Sequence, residues 1–375
     1  MTDLGSRPPG TDLDTAVDAE AVESQEIAKA ESLWQIRWAL FRRSFRANWK
    51  LFRRNRIGIA GLLIIGLFAV LAIAPTFLFR TGLWDTSTYD PVTGLESNPP
   101  TAQVEIVQVV EDPNTQIDIR QVLVDGRISG NLGDVIEVTL QPAPPDSKHW
   151  LGTDPLGRDI LSQLMFGAKA AFGLGILAAT VTVLIGTVVG SVAAFYGGRI
   201  DSLLMRLADL LIMVPGLAIL IVISAVIRFQ LWHLALVIGI LSGFGGVAIV
   251  LKSQALAVKV KPFVDAARVA GGSNARLIFA HIIPNVMPLS FLYMMFTVTT
   301  AIQSEATLSF IGLLNVDMSW GLMIQLANNQ GYLLQGGRYW WMVFPAGLAV
   351  TFIAMAFFLV GRAMDEVVNP RLRKR

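Results

Sequence analysis

The stretch Lys261–Pro288, KPFVDAARVAGGSNARLIFAHIIPNVMP, carries several charges although it lies between two long apolar segments. Pro262 suits the first turn of a helix, because the N–H that proline lacks would be unpaired there. Asp265 then places a negative charge where the helix dipole favours it. Gly271 and Gly272 follow the helix, and glycine commonly adopts the left-handed conformation that ends one. The residues predict a short polar helix that neither crosses a bilayer nor folds alone.

A second short helix is predicted directly after the two glycines. Ser273 or Asn274 can cap it with a side-chain oxygen, it covers Ala275–Ile283, and Pro284 closes it. The two helices form an elbow, and the first has a face of small residues that another protein's backbone can approach. We therefore interpret residues 261–284 as a docking element, rather than as an ordinary amphipathic loop.

Part of the elbow follows a spaced pattern: Asp-Ala-Ala, three residues, a glycine, nine residues, then His-Ile-Ile-Pro. The pattern resembles the cytoplasmic "EAA" loop of ABC-importer permeases, which reads Glu-Ala-Ala, three residues, Gly, nine residues, Ile-x-Leu-Pro. Aspartate replaces the glutamate, which keeps the charge but shortens its reach. The resemblance implies an ATPase contact at Asp265, Ala266, Ala267, Gly271 and Pro284. In that contact the alanines would allow close approach and Asp265 would make a charged or capping contact.

The composition is that of an integral membrane protein. Of 375 residues, 53% are hydrophobic and 15% charged, against about 25% charged in soluble domains. Six apolar segments are predicted to cross the membrane, and lysine and arginine are concentrated on the side of the N-terminus and the elbow. That asymmetry predicts that both termini are cytoplasmic. The segments are Ile57–Phe79, Ala170–Tyr196, Asp201–Ile227, His233–Leu251, Pro288–Leu313 and Trp340–Val360.

The predicted organisation begins with a disordered acidic cytoplasmic segment, 1–31. Residues 32–56 form a basic amphipathic helix whose aromatic side chains share one face, which is typical of a helix at the lipid interface. A nucleic-acid arm is the rival interpretation, disfavoured because the helix runs directly into the first membrane segment at 57–79. The permease core, 170–365, includes the cytoplasmic loop 252–287. A basic cytoplasmic tail, 366–375, follows.

The segment 80–169 is predicted to be extracytoplasmic and to carry a small β-rich insertion. Three stretches rich in valine and isoleucine, Gln103–Val110, Gln116–Val124 and Asp134–Leu140, partly alternate in the manner of strands. The insertion could contact a binding protein, cap the pore, or have no role of its own. Within the second apolar segment, Gly186-x-x-x-Gly190 is a candidate for close helix packing.

Two further motifs resemble those of one permease group. His149–Ile160, HWLGTDPLGRDI, and Ser304–Leu313, SEATLSFIGL, are similar to the "LGTDxxGRD" and "ExxLSFLGLG" signatures of the smaller, C-type permease of dipeptide/oligopeptide (nickel) importers. In the first motif, Thr153 or Asp154 with Pro155 is predicted to start a helix.

This resemblance implies an all-α polytopic fold with six transmembrane helices, the ABC type I importer permease fold. It implies multi-pass location in the plasma (inner) membrane of a prokaryote. Its implied partners are a second homologous permease, two ABC ATPase subunits, an extracytoplasmic solute-binding protein and membrane lipid, with no nucleic acid. The substrates of the resembled group are peptides and related small solutes.

Several kinds of chemistry are excluded. The sequence has no cysteine and no G-x-x-x-x-G-K-[ST], so it predicts neither thiolate chemistry nor a P-loop. His149, His233 and His281 lack metal-ligand spacing. We predict no catalytic residue, no metal and no cofactor in this chain. ATP and Mg are expected on partner ATPases.

Glu305 is the one carboxylate well inside an apolar segment. Such a charge either lines or gates a transport route, or pairs with polar neighbours near the membrane surface. Two other functions stay open. A secondary active transporter should show several ionisable residues and broken helices inside the membrane. A membrane scaffold subunit would dock through the elbow without moving solute.

Overall fold

The computed structural model describes residues 49–94, 101–105, 135–139, 142–227 and 229–368, together with Arg42 and Arg46. The α-helices are α1 (Arg56–Arg80), α2 (Thr86–Tyr89), α3 (Ile160–Tyr196), α4 (Gly198–Met213), α5 (Gly216–Val226), α6 (Leu231–Ser242), α7 (Ala248–Lys259), α8 (Pro262–Val269), α9 (Asn274–Arg276), α10 (Ile283–Phe310), α11 (Trp320–Asn329) and α12 (Trp340–Val368). Wider π-helical turns, Gly243–Val247 and Leu277–Ile282, join α6 to α7 and α9 to α10, and a 3-10 helix, Tyr332–Tyr339, precedes α12.

Within these described ranges, five helices are long and apolar enough to cross a membrane. They are Arg56–Arg80, Ile160–Tyr196, Leu231–Lys259, Asn274–Phe310 and Gly337–Val367. Each contains or overlaps a predicted segment. A sixth crossing is formed only if α4 and α5 are taken together, and these two helices meet at an angle of 79°.

The predicted third segment, Asp201–Ile227, is therefore wrong as a single helix. Val214 has an extended backbone, with φ −88° and ψ 127°, and Pro215 follows it. A proline disfavours helical conformation in the residue before it and cannot donate to the preceding turn. The chain bends at this point and starts α5 afresh at Gly216.

The start of α3 was also predicted wrongly. Asp159, not Thr153 or Asp154, caps the helix, with its carboxylate accepting from Ser162 N at 2.6 Å. Thr153 instead accepts a hydrogen bond through Oγ1 from Ala143 N at 2.8 Å. The residues around Pro155 form a turn ahead of the helix, because their polar side chains bond within the loop.

Pro284 does not close a helix, contrary to the prediction. The helical path runs from Asn274 to Phe310, and the π-helical turn ends at Ile282, two residues before the proline. Ile283 N bonds to Ile278 O, five residues back. This wider turn relieves the clash that a proline ring makes with the carbonyl four residues earlier. Asn285 Nδ2 donates to His281 O at 2.8 Å, which satisfies a carbonyl near the bulge.

Helix α3 lies at the centre of the helical bundle and packs against α1, α6, α7 and α10. The predicted close-packing pair, Gly186 and Gly190, lies where the α6–α7 turn and the start of α7 approach α3. A methyl group added at Gly190 would lie 2.7 Å from Ala248 O, and one added at Gly186 would lie 2.8 Å from Val247 Cγ1. Gly190 therefore allows a close backbone approach, and Gly186 makes room for the Val247 side chain.

In the predicted insertion, strands β1 (Thr101–Glu105) and β2 (Val135–Thr139) pair antiparallel, with Gln103 opposite Glu137. They fall at the first and third predicted strands. The second, Gln116–Val124, lies outside the described residues, so a larger β-rich module stays a prediction.

The structure also leaves segment 1–31, most of the predicted interfacial helix and the tail beyond 368 outside its described part. Residues 49–52 are helical and are followed by a turn. Asn55 then caps α1 afresh by accepting from Gly58 N at 3.0 Å. The predicted direct continuation of the interfacial helix into the first membrane segment is therefore interrupted.

Candidate docking site

The elbow begins as its sequence predicts. Lys261 is extended, Pro262 occupies the first turn of α8, and Asp265 lies in that turn. At the other end Gly271 has a φ of +81°, which only glycine adopts without strain. Gly272 N bonds to Ala267 O at 3.0 Å, so the last carbonyls of the helix are paired.

The second predicted helix also starts correctly. Ser273 Oγ accepts from Arg276 N at 3.3 Å and caps α9. The chain turns between these two short helices, and α8 packs against the π-helical turn Leu277–Ile282.

One face of α8 anchors the elbow to the rest of the protein. Val264 is completely buried. Ala267 packs against an apolar cluster that includes Val258 of α7 and Leu277 of the π-helical turn. Buried contacts on one side therefore anchor α8 to the rest of the protein.

The opposite face of α8 is open to solvent. Asp265, Ala266 and Gly271 are exposed. Asp265 Oδ1 lies 2.8 Å from Arg268 Nη1, with the two side chains 59% and 47% exposed. An ion pair this exposed contributes little to stability, so both charges remain able to contact a partner.

Sequence reasoning missed two apolar side chains on this surface. Val269 is 89% exposed and Phe263 is 41% exposed, and the Phe263 ring lies 6.5 Å from that of His281. The signal that could have identified them is the presence of large apolar side chains within a charged loop. Of the five predicted contact residues, Ala267 faces the protein rather than solvent, and Pro284 is exposed in the first turn of α10, at the end of the elbow.

Residues 186–374 match the family described as the binding-protein-dependent transport system inner membrane component. The match covers half of the chain and contains the whole elbow. The chain belongs to this family. It is therefore a permease subunit of an ABC importer, a multi-pass protein of the inner membrane, and the ATPase activity of such systems lies in separate subunits.

Similar proteins confirm the resemblance to C-type peptide permeases. The oligopeptide transport system permease protein OppC of Bacillus subtilis is 36% identical over 234 residues, 62% of this chain and 74% of that protein. The dipeptide transport system permease protein DppC of the same species is 33% identical over 239 residues, 63% of this chain and 73% of that protein. DppC of Alkalihalophilus pseudofirmus is 26% identical over 333 residues, 88% and 90% of the two chains.

Glu305 of the permease lies in α10, 22 residues beyond its first residue, or roughly 33 Å along a helix. The side chain is 3% exposed. Ser309 Oγ donates to Glu305 Oε1 at 2.6 Å, and Ser319 Oγ donates to Ser309 Oγ at 3.2 Å. Ser319 also caps α11 by accepting from Leu322 N at 3.2 Å. Glu305 is thus the end of a hydrogen-bond chain that joins α10 to α11.

A second buried polar network precedes α3 in the permease. Asp154 accepts hydrogen bonds from the side chains of Arg158, at 2.7 Å, and Gln163, at 3.1 Å. Asp159 Oδ1 lies 2.9 Å from His149 Nδ1, and both side chains are 2% exposed. The sequence motif therefore encodes a folded loop as well as a helix cap. Across the described ranges, no group of three or more histidine, aspartate or glutamate residues is arranged to hold a metal ion.

Proposed function

We propose that this permease forms, with a second homologous permease, the translocation pathway of an ATP-driven importer for peptides or related small solutes. Two separate ATPases bind ATP and Mg and drive it through the 261–284 loop. An extracytoplasmic solute-binding protein delivers the substrate. The peptide substrate class is supported by the names of the similar proteins, which are oligopeptide and dipeptide permeases.

The observation that carries this proposal is the exposed face of α8 on a buried support. A helix that is rigidly attached and open on one side can receive force from a partner and pass it to the helices behind it. Closure of two ATPases on ATP would displace α8, and the membrane helices would then alternate between two access states. The apolar exposure of Val269 and Phe263 fits a surface that is covered in the complex.

In the proposed topology, α4 and α5 form one broken crossing, so the chain crosses six times and both termini are cytoplasmic. The distribution of lysine and arginine supports this orientation. The residues around β1 and β2 are then extracytoplasmic. The basic aromatic segment 32–56 lies along the inner membrane surface and contacts lipid headgroups.

Proteoliposomes containing the complete complex test the function. Labelled peptide should accumulate when the solute-binding protein and ATP are both present, and a non-hydrolysable nucleotide should give no uptake. A protonophore should have no effect. Uptake that needs no ATP but collapses with the proton gradient would instead identify a secondary transporter, for which the 79° break between α4 and α5 is the favourable observation.

A scaffold role makes a different prediction for the same preparation. If the permease only docks partners, then complexes lacking this chain but retaining the other permease should still transport peptide. Loss of uptake on omission of this chain, and recovery on its addition, would exclude the scaffold.

A further inference from the structure

Two lysines of α7 bind the ends of two other helices at the elbow end of the permease. Lys259 Nζ donates to the carbonyl oxygens of Ala194 at 3.0 Å and Phe195 at 2.8 Å. These carbonyls lie in the last turn of α3, where a positive charge and hydrogen-bond donors are both favourable. Lys252 Nζ lies 2.5 Å from Oδ1 of Asp201, in the first turn of α4.

The two lysines therefore lie on either side of the junction between α3 and α4. They are seven residues apart on α7, which places them two turns apart on the same helix face. The junction itself is Gly197–Gly198, with φ values of +65° and +55°. Among the residues that the structure describes, and apart from the adjoining chain, no atom lies within 4 Å of the position that a Cβ would occupy at either glycine. Within the described part of the chain, the Cβ positions of the junction therefore face open space, and both of its residues are of the type with the greatest backbone freedom.

Lys259 is also directly connected to the elbow. It is the last residue of α7, and Lys261 N, at the start of the elbow, bonds to Val258 O at 3.0 Å. Ala194 and Phe195 belong to the same apolar cluster as Val258. A displacement of the elbow must therefore move the end of α7, and with it the ammonium groups that hold α3 and α4.

We propose that Lys252 and Lys259 form a two-lysine clamp that transmits elbow movement across the Gly197–Gly198 junction to the broken pair α4–α5. The clamp rests on the proposed function, because it needs an ATPase to move the elbow. When α7 shifts, the two lysines change the angle between α3 and α4 at the glycines. The bend at Pro215 then moves with α4, whose Ile212 lies against the α6–α7 turn at Gly245.

The first experiment measures peptide transported per ATP hydrolysed by the reconstituted complex. Lys259→Met removes charge-assisted hydrogen bonds and Lys252→Met removes an ion pair. Each should lower this ratio about tenfold while ATP hydrolysis persists. Lys259→Arg should retain the ratio. Lys252→Asp should also lower the ratio of peptide transported to ATP hydrolysed. Adding Asp201→Lys to it restores the ion pair with the charges exchanged and should restore the ratio. Lys169→Met, an exposed lysine at the other end of α3, is the control and should match wild type.

The proposal is overturned if the ratio of either methionine variant equals that of wild type. It is also overturned if uptake and ATP hydrolysis fall in parallel, because that result indicates that the lysines only stabilise the fold. Failure of the proposed function can be told apart from failure of the clamp, because the wild-type complex would then show no ATP-dependent uptake at all.

A distance measurement covers the case in which a methionine variant assembles poorly. The chain has no cysteine, so labels can be placed on Cys variants of Tyr196 and Leu203, two exposed positions on either side of the junction. The label separation should change when nucleotide is added to the wild-type complex and to the Lys259→Arg complex. A wild-type complex that transports peptide with an unchanged separation would refute the clamp.

Discussion

Asn55 donates a hydrogen bond from Nδ2 to Oε2 of Glu366 at 2.7 Å, across 311 residues of sequence. The same side chain caps α1 through Oδ1, which accepts from Gly58 N. One amide therefore both starts the first membrane helix and ties it to the end of α12. Phe52 and Ala363 lie against Gly58 beside this bond, where a methyl group would meet both side chains within 3 Å.

Replacement of Asn55 separates its two roles. Asn55→Asp keeps the helix cap, because aspartate caps as well as asparagine, but places a second carboxylate against Glu366. We expect a loss of about 1 kcal/mol or more from the lost bond and the repulsion. Asn55→Ser keeps a cap without the added charge and should be less harmful. Thermal unfolding in detergent compares the two, and an aspartate variant as stable as wild type would contradict the assignment.

Charge reversal at Asp265 tests the docking face. Asp265→Lys should leave the fold intact, because the side chain is exposed and its pair with Arg268 is at the surface. Association with the ATPases should weaken by about tenfold if a partner's charge faces this position. Co-purification at increasing salt measures the effect. Lys169→Glu, exposed at the other end of α3, is the matched control. Unchanged association of the Asp265 variant would mean that the elbow is not the dock.

Substitution of Glu305 distinguishes an anchor from a transport residue. Glu305→Gln keeps an acceptor for Ser309. The rate of peptide uptake should therefore stay within about twofold of wild type, and the free energy of unfolding should change by less than about 1 kcal/mol. Glu305→Leu leaves the buried serine hydroxyl without its acceptor and should cost about 1–3 kcal/mol of stability. Gln303→Leu, an exposed site on the same helix, should be neutral. Loss of uptake in the glutamine variant with unaltered unfolding would assign the carboxyl group to the translocation route.

Two glycines of α3 provide a matched pair for helix packing. A methyl group at Gly167 would lie 2.5 Å from Trp320 Cδ1 and Nε1, and that indole donates to Leu164 O at 3.0 Å. Gly167→Ala should therefore destabilise the permease by about 1–3 kcal/mol. A methyl group at Gly173 meets no atom of the described residues outside its own helix within 4 Å, so Gly173→Ala should be neutral or stabilising by about 0.5–1 kcal/mol. Equal unfolding temperatures for the two variants would refute the packing argument.

The candidate site was largely predictable from the sequence because its architecture is local. Pro262, Gly271 and Ser273 act on the backbone within about five residues of themselves, so a short window of sequence specifies where α8 ends and where the next helix begins. The exposure of individual residues was less predictable. Ala267 and Ala266 are adjacent and chemically identical, and only the position of Leu277 and Val258 decides that Ala267 faces inward.

By itself, the sequence determined that this is a polytopic membrane protein with a polar elbow, because apolar length and local turn chemistry are properties of short segments. Only the tertiary structure decided that a helix continues through Pro284, that α4 and α5 meet at 79°, and that Lys259 binds the end of α3. For Pro284 and Lys259 the physical reason is the same, because a backbone group or charge is satisfied by whichever partner lies closest in space. For α4 and α5, Pro215 breaks the helix locally, but the angle at which the two helices then meet depends on how each packs against its neighbours in the bundle.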